Sequence, residues 1–154
     1  MLTNEILLRI LVAFILGSLL GIERTHAGKT AGIRTFALVS LGSALAIIIS
    51  EQVIAQYLAA GIDTGFRFDP LRLMAGLIQG IGFIGAGMII FQKDHVANLT
   101  TAAGVWVAAT IGMATGFGLY REAIFVTLLV VFTFSLMWKI EKKLRNFFGV
   151  RNED

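Results

Sequence analysis

The residues best suited to chemistry are charged side chains that close one apolar run and open the next. Glu23 and Arg24 end the first run, and Arg34 begins the second. A cation at the start of a helix opposes the positive end of the helix dipole, so Arg34 requires a negative partner. Glu23 is the expected partner, because the loop 23–34 brings both residues to one face. Two interpretations stay open: a charged mouth that holds an ion or an anionic group, and a structural ion pair.

A second acidic residue, Asp94, lies in the short charged break Lys93-Asp94-His95. Hydrated Mg²⁺ keeps several of its waters and takes one or two carboxylates, which Glu23 and Asp94 can supply. The sequence contains no denser acidic cluster and no pair of histidines with zinc-ligand spacing. We therefore expect no dedicated metal site and no cofactor, and Glu23 and Asp94 are the candidates for a loose association with Mg²⁺.

Two stretches resemble nucleotide-binding motifs, but the residues around them do not meet the requirements of those motifs. Gly80-Ile-Gly82-Phe-Ile-Gly85 has the spacing G-x-G-x-x-G, but Val105 stands where an acidic residue is needed, and the whole motif is inside an uncharged run. Gly28-Lys29-Thr30 resembles the end of a P-loop, but Glu23 occupies the position of its first glycine. The chain also contains no cysteine, which excludes a catalytic thiolate. We predict that the protein is not an enzyme.

The elements that position these residues are membrane spans. Of the 154 residues, 56% are hydrophobic and 15% are charged, and the mean hydropathy is +0.81. A soluble domain is about 25% charged, so the composition excludes an ordinary soluble enzyme, a disordered chain and a collagen-like fibre. A span takes about 20 residues, and five are predicted: 5–22, 33–57, 71–91, 101–119 and 123–140. We expect one transmembrane domain, 1–140, and a basic cytoplasmic tail, 141–154, without a soluble C-terminal domain.

The spans are predicted to be α-helices, because the apolar runs do not alternate with polar residues as barrel strands do. Asp69 and Pro70 provide an N-cap and a first helical residue for the third span. Thr100 or Thr101 can cap the fourth span in the same way. The fold class is therefore an all-α integral membrane protein.

Lysine and arginine are distributed unevenly between the two sides of the membrane. Nine lie on the side of the 23–34 loop and the tail, and four lie on the other side. The positive-inside rule then places the C-terminus in the cytoplasm and, with five spans, the N-terminus outside. Arg9 falls on the outer side, where it can snorkel to the interface or pair with Glu5, four residues earlier.

Seventeen glycines indicate how the spans pack, because small residues let helix backbones approach closely in lipid. On the third span, Gly76, Gly80 and Gly87 share one face, and Gly82 and Gly85 lie near the opposite face. We therefore predict a close-packed, Gly-rich bundle with the third helix at its centre. The glycines assigned to helix packing are Gly17, Gly21, Gly76, Gly80, Gly82, Gly85, Gly87, Gly112 and Gly116.

Four segments, taken together, resemble the MgtC/SapB family. The first two are G-x-x-x-G-x-E-R, from Gly17 to Arg24, and A-G-I-R-T-F-A-L-V-x-x-G-S-A, from Ala31 to Ala44. The others are R-x-x-A-G-x-x-x-G-I-G-F-I-G-A-G, from Arg72 to Gly87, and L-T-T-A-A-x-x-W-x-x-A-x-I-G-x-x-x-G-x-G-x-Y, from Leu99 to Tyr120. The segments follow in order and cover nearly all of the chain.

The resemblance implies a bacterial inner-membrane protein of about five helices that is not an enzyme. It links the chain to growth at low Mg²⁺, to virulence through survival in macrophages, and to inhibition of the membrane ATP synthase. The implied action is contact with other membrane proteins, ATP synthase among them. We also expect a homo-oligomer embedded in the lipid bilayer, with no nucleic-acid partner.

The alternative function is a small oligomeric ion transporter or channel with a cytoplasmic mouth formed by Glu23 and Arg34. Some family members have Asn at the position of Thr100, so the chain departs from them there. The functional candidates are Asp94, from its charge, and, carried over by motif, Glu23, Arg24, Arg34, Thr35, Thr100, Thr101 and Trp106.

Overall fold

The computed structural model describes residues 3–61, 69–92 and 95–137, together with Ile140 and Lys143. Its helices are α1 (Thr3–His26), α2 (Ile33–Ala59), α3 (Pro70–Met88), α4 (Leu99–Gly116) and α5 (Tyr120–Phe132). α5 passes into a π-helical turn, Thr133–Met137, called the π-turn below. Five helices, with the π-turn counted in α5, are long and apolar enough to cross a bilayer, which confirms the predicted all-α class with five spans. A short antiparallel hairpin of β1 (Ile90–Gln92) and β2 (His95–Ala97) joins α3 to α4.

The end of α1 lies one turn beyond the predicted bound at Ile22. The helix continues to His26, so Glu23 and Arg24 are helical residues. The sequence had predicted both of them to lie in the loop. It ends where Gly28 takes a left-handed φ of +66°, the conformation that glycine adopts most easily after a helix. The extension matters for function, because it fixes the direction of both charged side chains.

The third and fourth helices end earlier than predicted. α3 stops at Met88 rather than Phe91, because the chain turns into β1 there. α4 stops at Gly116 rather than Leu119, because Gly118 takes a left-handed φ of +78° two residues later. Both changes are local turns that a run of uncharged residues does not reveal.

The start of α3 follows the prediction and the start of α4 does not. Asp69 caps α3, since its Oδ1 accepts a hydrogen bond of 2.9 Å from the Leu71 amide. The residue before α4 is Asn98, with a φ of +67°, and its side-chain amide donates to the last carbonyl of α3 at 3.3 Å. Thr100 and Thr101 therefore lie inside the first turn of α4 and not at its cap.

The central helix of the bundle is α4, not α3 as the glycine pattern predicted. α4 packs against α1, α2, α3 and α5, whereas α3 packs chiefly against α4. Accordingly, 61% of the α4 span is buried and none of the α3 span is. The physical reason is the position of the glycines. Those of α4 lie where it contacts neighbouring segments, whereas most of those of α3 contact no other part of the described chain.

The glycines differ in what surrounds them. A Cβ at Gly17 would lie 2.7 Å from the Phe36 carbonyl oxygen of α2, and one at Gly116 would lie 2.9 Å from the Ala44 carbonyl oxygen of the same helix. Gly21 and Gly112 also lie directly against the α2 segment. A Cβ at Gly85 would be 4.0 Å from α4, and one at four other α3 positions would meet open space: Gly76, Gly80, Gly82 and Gly87.

The bundle has two ends, which we name after their buried arginines. The Arg9 end holds Arg9 and the C-terminus of α4, and the Arg24 end holds Glu23, Arg24 and the π-turn. The 27–32 loop between α1 and α2 is at the Arg24 end. Which end faces the cytoplasm stays a prediction, and the tail 141–154 lies outside the described residues apart from Lys143.

Candidate functional site

Two buried arginines stand out among the described residues, where the other buried polar side chains are the hydroxyls of serines and threonines. Arg9 is 6% exposed and Arg24 is 5% exposed. A charged side chain inside a membrane protein is costly and is a functional candidate by default. The partners of the two arginines decide which end of the bundle is the better site.

At the Arg24 end, the guanidinium lies between a carboxylate and an aromatic ring. Its Nε donates a hydrogen bond to Glu23 Oε2, and its Nη2 forms an ion pair with the same oxygen. Its Cζ is 3.8 Å from the centre of the Phe134 ring, which is a cation–π contact. The ion pair is formed within α1, and the π-turn supplies the ring, so α1 and the segment after α5 are joined through Arg24.

The Phe134 ring is positioned by two other helices. It meets Phe36 of α2 edge to face, with the ring centres 6.5 Å apart and the planes at 85°. Its tip rests on Gly104 of α4, where an added Cβ would lie 2.6 Å from Phe134 Cζ. Single π-helical turns occur often at functional sites. Here the π-turn places the one aromatic ring that lies against Arg24 among the described residues.

Beside this ion pair, α1 and α5 form an open cavity of about 350 Å³. Most of its lining is apolar, and its polar groups are Glu23 and His26 of α1 and Thr127 of α5. The Thr127 hydroxyl donates to its own helix, to the Ala123 carbonyl at 2.7 Å. Almost all of the surface that faces the cavity is apolar, so Glu23 and His26 line it chiefly with their non-polar atoms. The remaining lining residues are Leu19, Ile22, Leu128 and Val131.

At the Arg9 end, the guanidinium is held by three helices. Arg9 Nη2 donates to Glu5 of α1 at 2.7 Å, which confirms the pairing predicted from the sequence. Arg9 Nη1 donates to Glu51 of α2 at 2.8 Å and to the Gly116 carbonyl of α4 at 2.7 Å. The last carbonyls of a helix carry partial negative charge, so Gly116 is a favourable partner for a cation.

The family follows from a comparison of the whole sequence. The sequence profile of the MgtC family matches residues 10–143. The chain belongs to the MgtC family. This is a family of multi-pass membrane proteins and not a known enzyme family. Arg24, Glu23 and Phe134 lie within the matched residues, whereas Arg9 lies one residue before them.

Three curated relatives illustrate the similarity. A protein of Escherichia coli K12 named "Putative magnesium transporter YhiD" is 37% identical over 94% of this chain and 66% of its own length. Protein SapB of Bacillus subtilis is 34% identical over 90% of this chain and 59% of its own length. Protein MgtC of Salmonella typhimurium LT2 is 36% identical over 85% of this chain and 52% of its own length. The chain thus spans about half to two thirds of the MgtC-family relatives it matches, and no solved structure matches it.

The predicted pair of Glu23 and Arg34 is not formed. The described residues contain three ion pairs, and in them Glu23 is bound to Arg24. Arg34 is exposed in the first turn of α2. The extra turn of α1 explains the difference, because it holds the Glu23 carboxylate beside the Arg24 side chain. The predicted mouth of Glu23 and Arg34 is therefore not formed among the described residues.

The other candidate residues of the MgtC motifs are dispersed. Thr101 is buried in α4, Thr35 is half-buried in α2, and Thr100 is exposed. Trp106 is 42% exposed on the outside of α4. Asp94 lies outside the described residues, which contain no group of three His, Asp or Glu side chains arranged to hold a metal ion.

The sequence interpretation missed three partners that the structure reveals. These are Phe134 at Arg24, and Glu51 and Gly116 at Arg9. Glu51 could have been predicted from the sequence, because consecutive spans run in opposite directions, and the end of α2 therefore lies on the same side of the membrane as the start of α1. Phe134 could not, because it looks like any other apolar residue of the fifth span.

Proposed function

We propose that this protein serves bacterial adaptation to low Mg²⁺ as a non-enzymatic protein of the inner membrane that contacts other membrane proteins. The contact is made at the Arg24 end, which the positive-inside rule assigns to the cytoplasm. The observation that carries the proposal is the cavity of about 350 Å³ between α1 and α5, where Glu23 and His26 border an apolar lining.

The cavity suits a transmembrane helix of another protein. Its apolar residues favour an apolar side chain, which packs there by van der Waals contact within the bilayer. At one end of the cavity, Glu23 forms its ion pair with Arg24, which places a charged pair beside the apolar lining. The resemblance to MgtC/SapB proteins makes ATP synthase the first partner to test.

Photocrosslinking from the cavity tests this function. A photoreactive phenylalanine analogue replaces Leu128, which lines the cavity, or Phe125, which is 63% exposed on the same helix outside it. In cells grown at low Mg²⁺, we expect ATP synthase subunits to be captured from position 128 and not from position 125. Glu23→Gln should reduce the capture. Equal capture from both positions contradicts the proposal. So does a lack of capture from position 128 in cells whose growth at low Mg²⁺ depends on the protein.

A second candidate function is ion transport, and Glu23 favours it because this acidic residue is among those that line the cavity. The Escherichia coli relative also bears the name of a putative magnesium transporter. Mg²⁺ flux into proteoliposomes separates the two functions. Flux that Glu23→Gln abolishes and Glu122→Gln preserves identifies a transporter, because Glu122 is an exposed residue at the start of α5. The contact function predicts no flux above that of empty vesicles.

A further inference from the structure

The outer face of α3 differs from the lipid-facing surface of its neighbours. On its inner side, α3 packs against the core through Ile81 and Met88, with Gly85 close to α4. None of the α3 span is buried, so its other side is turned away from the rest of the chain. If this outer face of α3 contacted only lipid, it would be expected to carry large apolar side chains.

The outer face carries polar, small and aromatic residues instead. At about 100° per residue, Arg72, Gly76, Gln79 and Phe83 lie within about 60° of one another, opposite the side that packs against α4. All four are exposed. The exposed positions of α1 and α5 are of the usual lipid-facing kind, for example Leu7, Leu8, Leu11, Phe14, Phe125, Leu129 and Phe132.

Gln79 is the residue that lipid cannot accommodate. It is the central residue of α3, which runs from Pro70 to Met88, so it lies at the middle of the bilayer. Hydrocarbon offers no hydrogen bond to its amide, and an amide left without one costs free energy. The amide therefore requires a polar partner at the same depth, outside this chain.

Phe83 and the glycines have complementary shapes. The Phe83 side chain is 84% exposed, so it protrudes from the helix. One and two turns earlier on nearly the same face, Gly80 and Gly76 have open space where a Cβ would be. Because the ring and the groove lie on the same face, the groove of one helix can receive the ring of an identical helix, and the reverse.

We propose that two copies of this chain pair through α3, with the helices parallel around a two-fold axis normal to the membrane. Two copies with the same topology place Gln79 beside Gln79 at one depth, and an amide both donates and accepts hydrogen bonds. Each Phe83 ring packs against the partner at Gly80, which is about 4.5 Å from it along the helix axis in this register. An isologous contact of this kind is the commonest symmetry of homo-oligomers.

Charge complementarity also favours a second copy. Asp69, the N-cap of α3, and Arg72, in its first turn, lie near the same end of the helix, and both are exposed. Around a two-fold axis, the aspartate of one copy comes close to the arginine of the other, and the exchange is reciprocal. The inference goes beyond the proposed function, which concerns the α1–α5 cavity at the Arg24 end.

Disulfide crosslinking in the membrane tests the pairing, because the chain contains no cysteine of its own. Single variants Gln79→Cys and Phe83→Cys are compared with Phe14→Cys and Leu129→Cys, which are exposed near the middle of α1 and α5. Two differently tagged copies are expressed together and oxidised. We expect a product that carries both tags, several times more abundant from α3 than from α1 or α5. Equal yields from all positions, or a product that joins one tag to a different protein, overturn the proposal.

Dimer strength, measured by energy transfer between labelled copies in liposomes, provides a second test. Gln79→Leu should weaken the dimer about 3- to 20-fold, the range for hydrogen bonds between helices in membranes. Gly80→Ile fills the groove and should weaken it further, whereas Phe125→Ala should leave it unchanged. Unchanged dimers in both α3 variants overturn the pairing. Photocrosslinking from position 128 in the same variants distinguishes the two proposals. Loss of partner capture from that position contradicts the proposed function, whereas a change in dimer strength alone concerns only the pairing through α3.

Discussion

Arg9 and Arg24 are buried to nearly the same degree at opposite ends of α1, and their surroundings differ in kind. Arg9 is bound by side chains of α1 and α2 and by a backbone carbonyl of α4. Arg24 is bound by its chain neighbour Glu23 and by the face of one aromatic ring. The first arginine joins three helices, and the second is paired with an acidic residue that is among those lining a cavity.

The difference teaches that burial alone does not mark a functional charge. A guanidinium whose partners come from three helices is fixed, since any movement leaves a carboxylate or a carbonyl without its donor. The ion pair of Arg24 lies within one helix, so it does not by itself hold α1 to another helix. Arg9 thus stabilises the fold, and Glu23 and Arg24 are the groups that can act on a partner.

The largest effect on stability should come from Arg9→Met. Loss of a buried charge partner costs about 3–5 kcal/mol when both partners are buried. Here Glu5 is 45% exposed and Glu51 is 28% exposed, so water relieves part of the loss. We expect a decrease of about 2–3 kcal/mol in the free energy of unfolding in bilayers, on that discounted scale.

The matched control for this variant is Arg121→Met, which removes an exposed arginine at the start of α5. It should change the free energy of unfolding by less than about 0.5 kcal/mol, as most surface substitutions do. If Arg9→Met is equally mild, then Arg9 does not hold the three helices together.

The second largest effect should come from Phe134→Leu. The variant removes the cation–π contact with Arg24 and the edge-to-face contact with Phe36, each worth about 0.5–1.5 kcal/mol. We expect a decrease of about 1–2 kcal/mol in stability, within that sum. Phe125→Leu, at a lipid-facing position of α5, is the control. If the control is as costly, the ring has no special role at Arg24.

The contrast between α3 and α4 explains how far sequence reasoning reaches. The five helices were predictable, because about 20 uncharged residues in a row is a local property that already determines a span. The centre of the bundle was not. Small-xxx-small pairs occur in α3 at Gly76 and Gly80 and in α4 at Gly112 and Gly116, and the spacing alone does not state which neighbour approaches them.

The same limit applies to the site. Glu5 was identified as a partner of Arg9 because the two residues lie four positions apart on one helix, but Glu51 is 42 residues away in the chain. The Glu23–Arg34 pair was wrong because one further helical turn in α1 moved Glu23 toward Arg24. Long-range partners and helix ends depend on packing, which a single sequence encodes only indirectly.

A third, smaller effect on stability should accompany a clear effect on function in Arg24→Lys. Lysine keeps the charge but has no planar guanidinium, so it cannot reproduce both the Nε hydrogen bond and the Nη2 ion-pair contact to Glu23. We expect a stability change below about 1 kcal/mol, in the range of a partly screened ion pair. Capture of the partner from position 128 should nevertheless fall. Arg34→Lys, which alters an exposed arginine of the neighbouring helix, should leave that capture unchanged.

The smallest effect should come from Glu5→Gln, and it sharpens the comparison most. An exposed pair four residues apart on a helix is worth about 0.3–0.5 kcal/mol. Alone, therefore, Glu5→Gln should barely lower the free energy of unfolding, because Glu51 and Gly116 still hold Arg9. In the double variant with Glu51→Gln, Arg9 keeps only a neutral carbonyl, and the loss should exceed the sum of the single losses by at least about 0.5 kcal/mol. A strictly additive cycle would show that the two carboxylates act independently, and the Arg9 end would then resemble the locally paired Arg24 end.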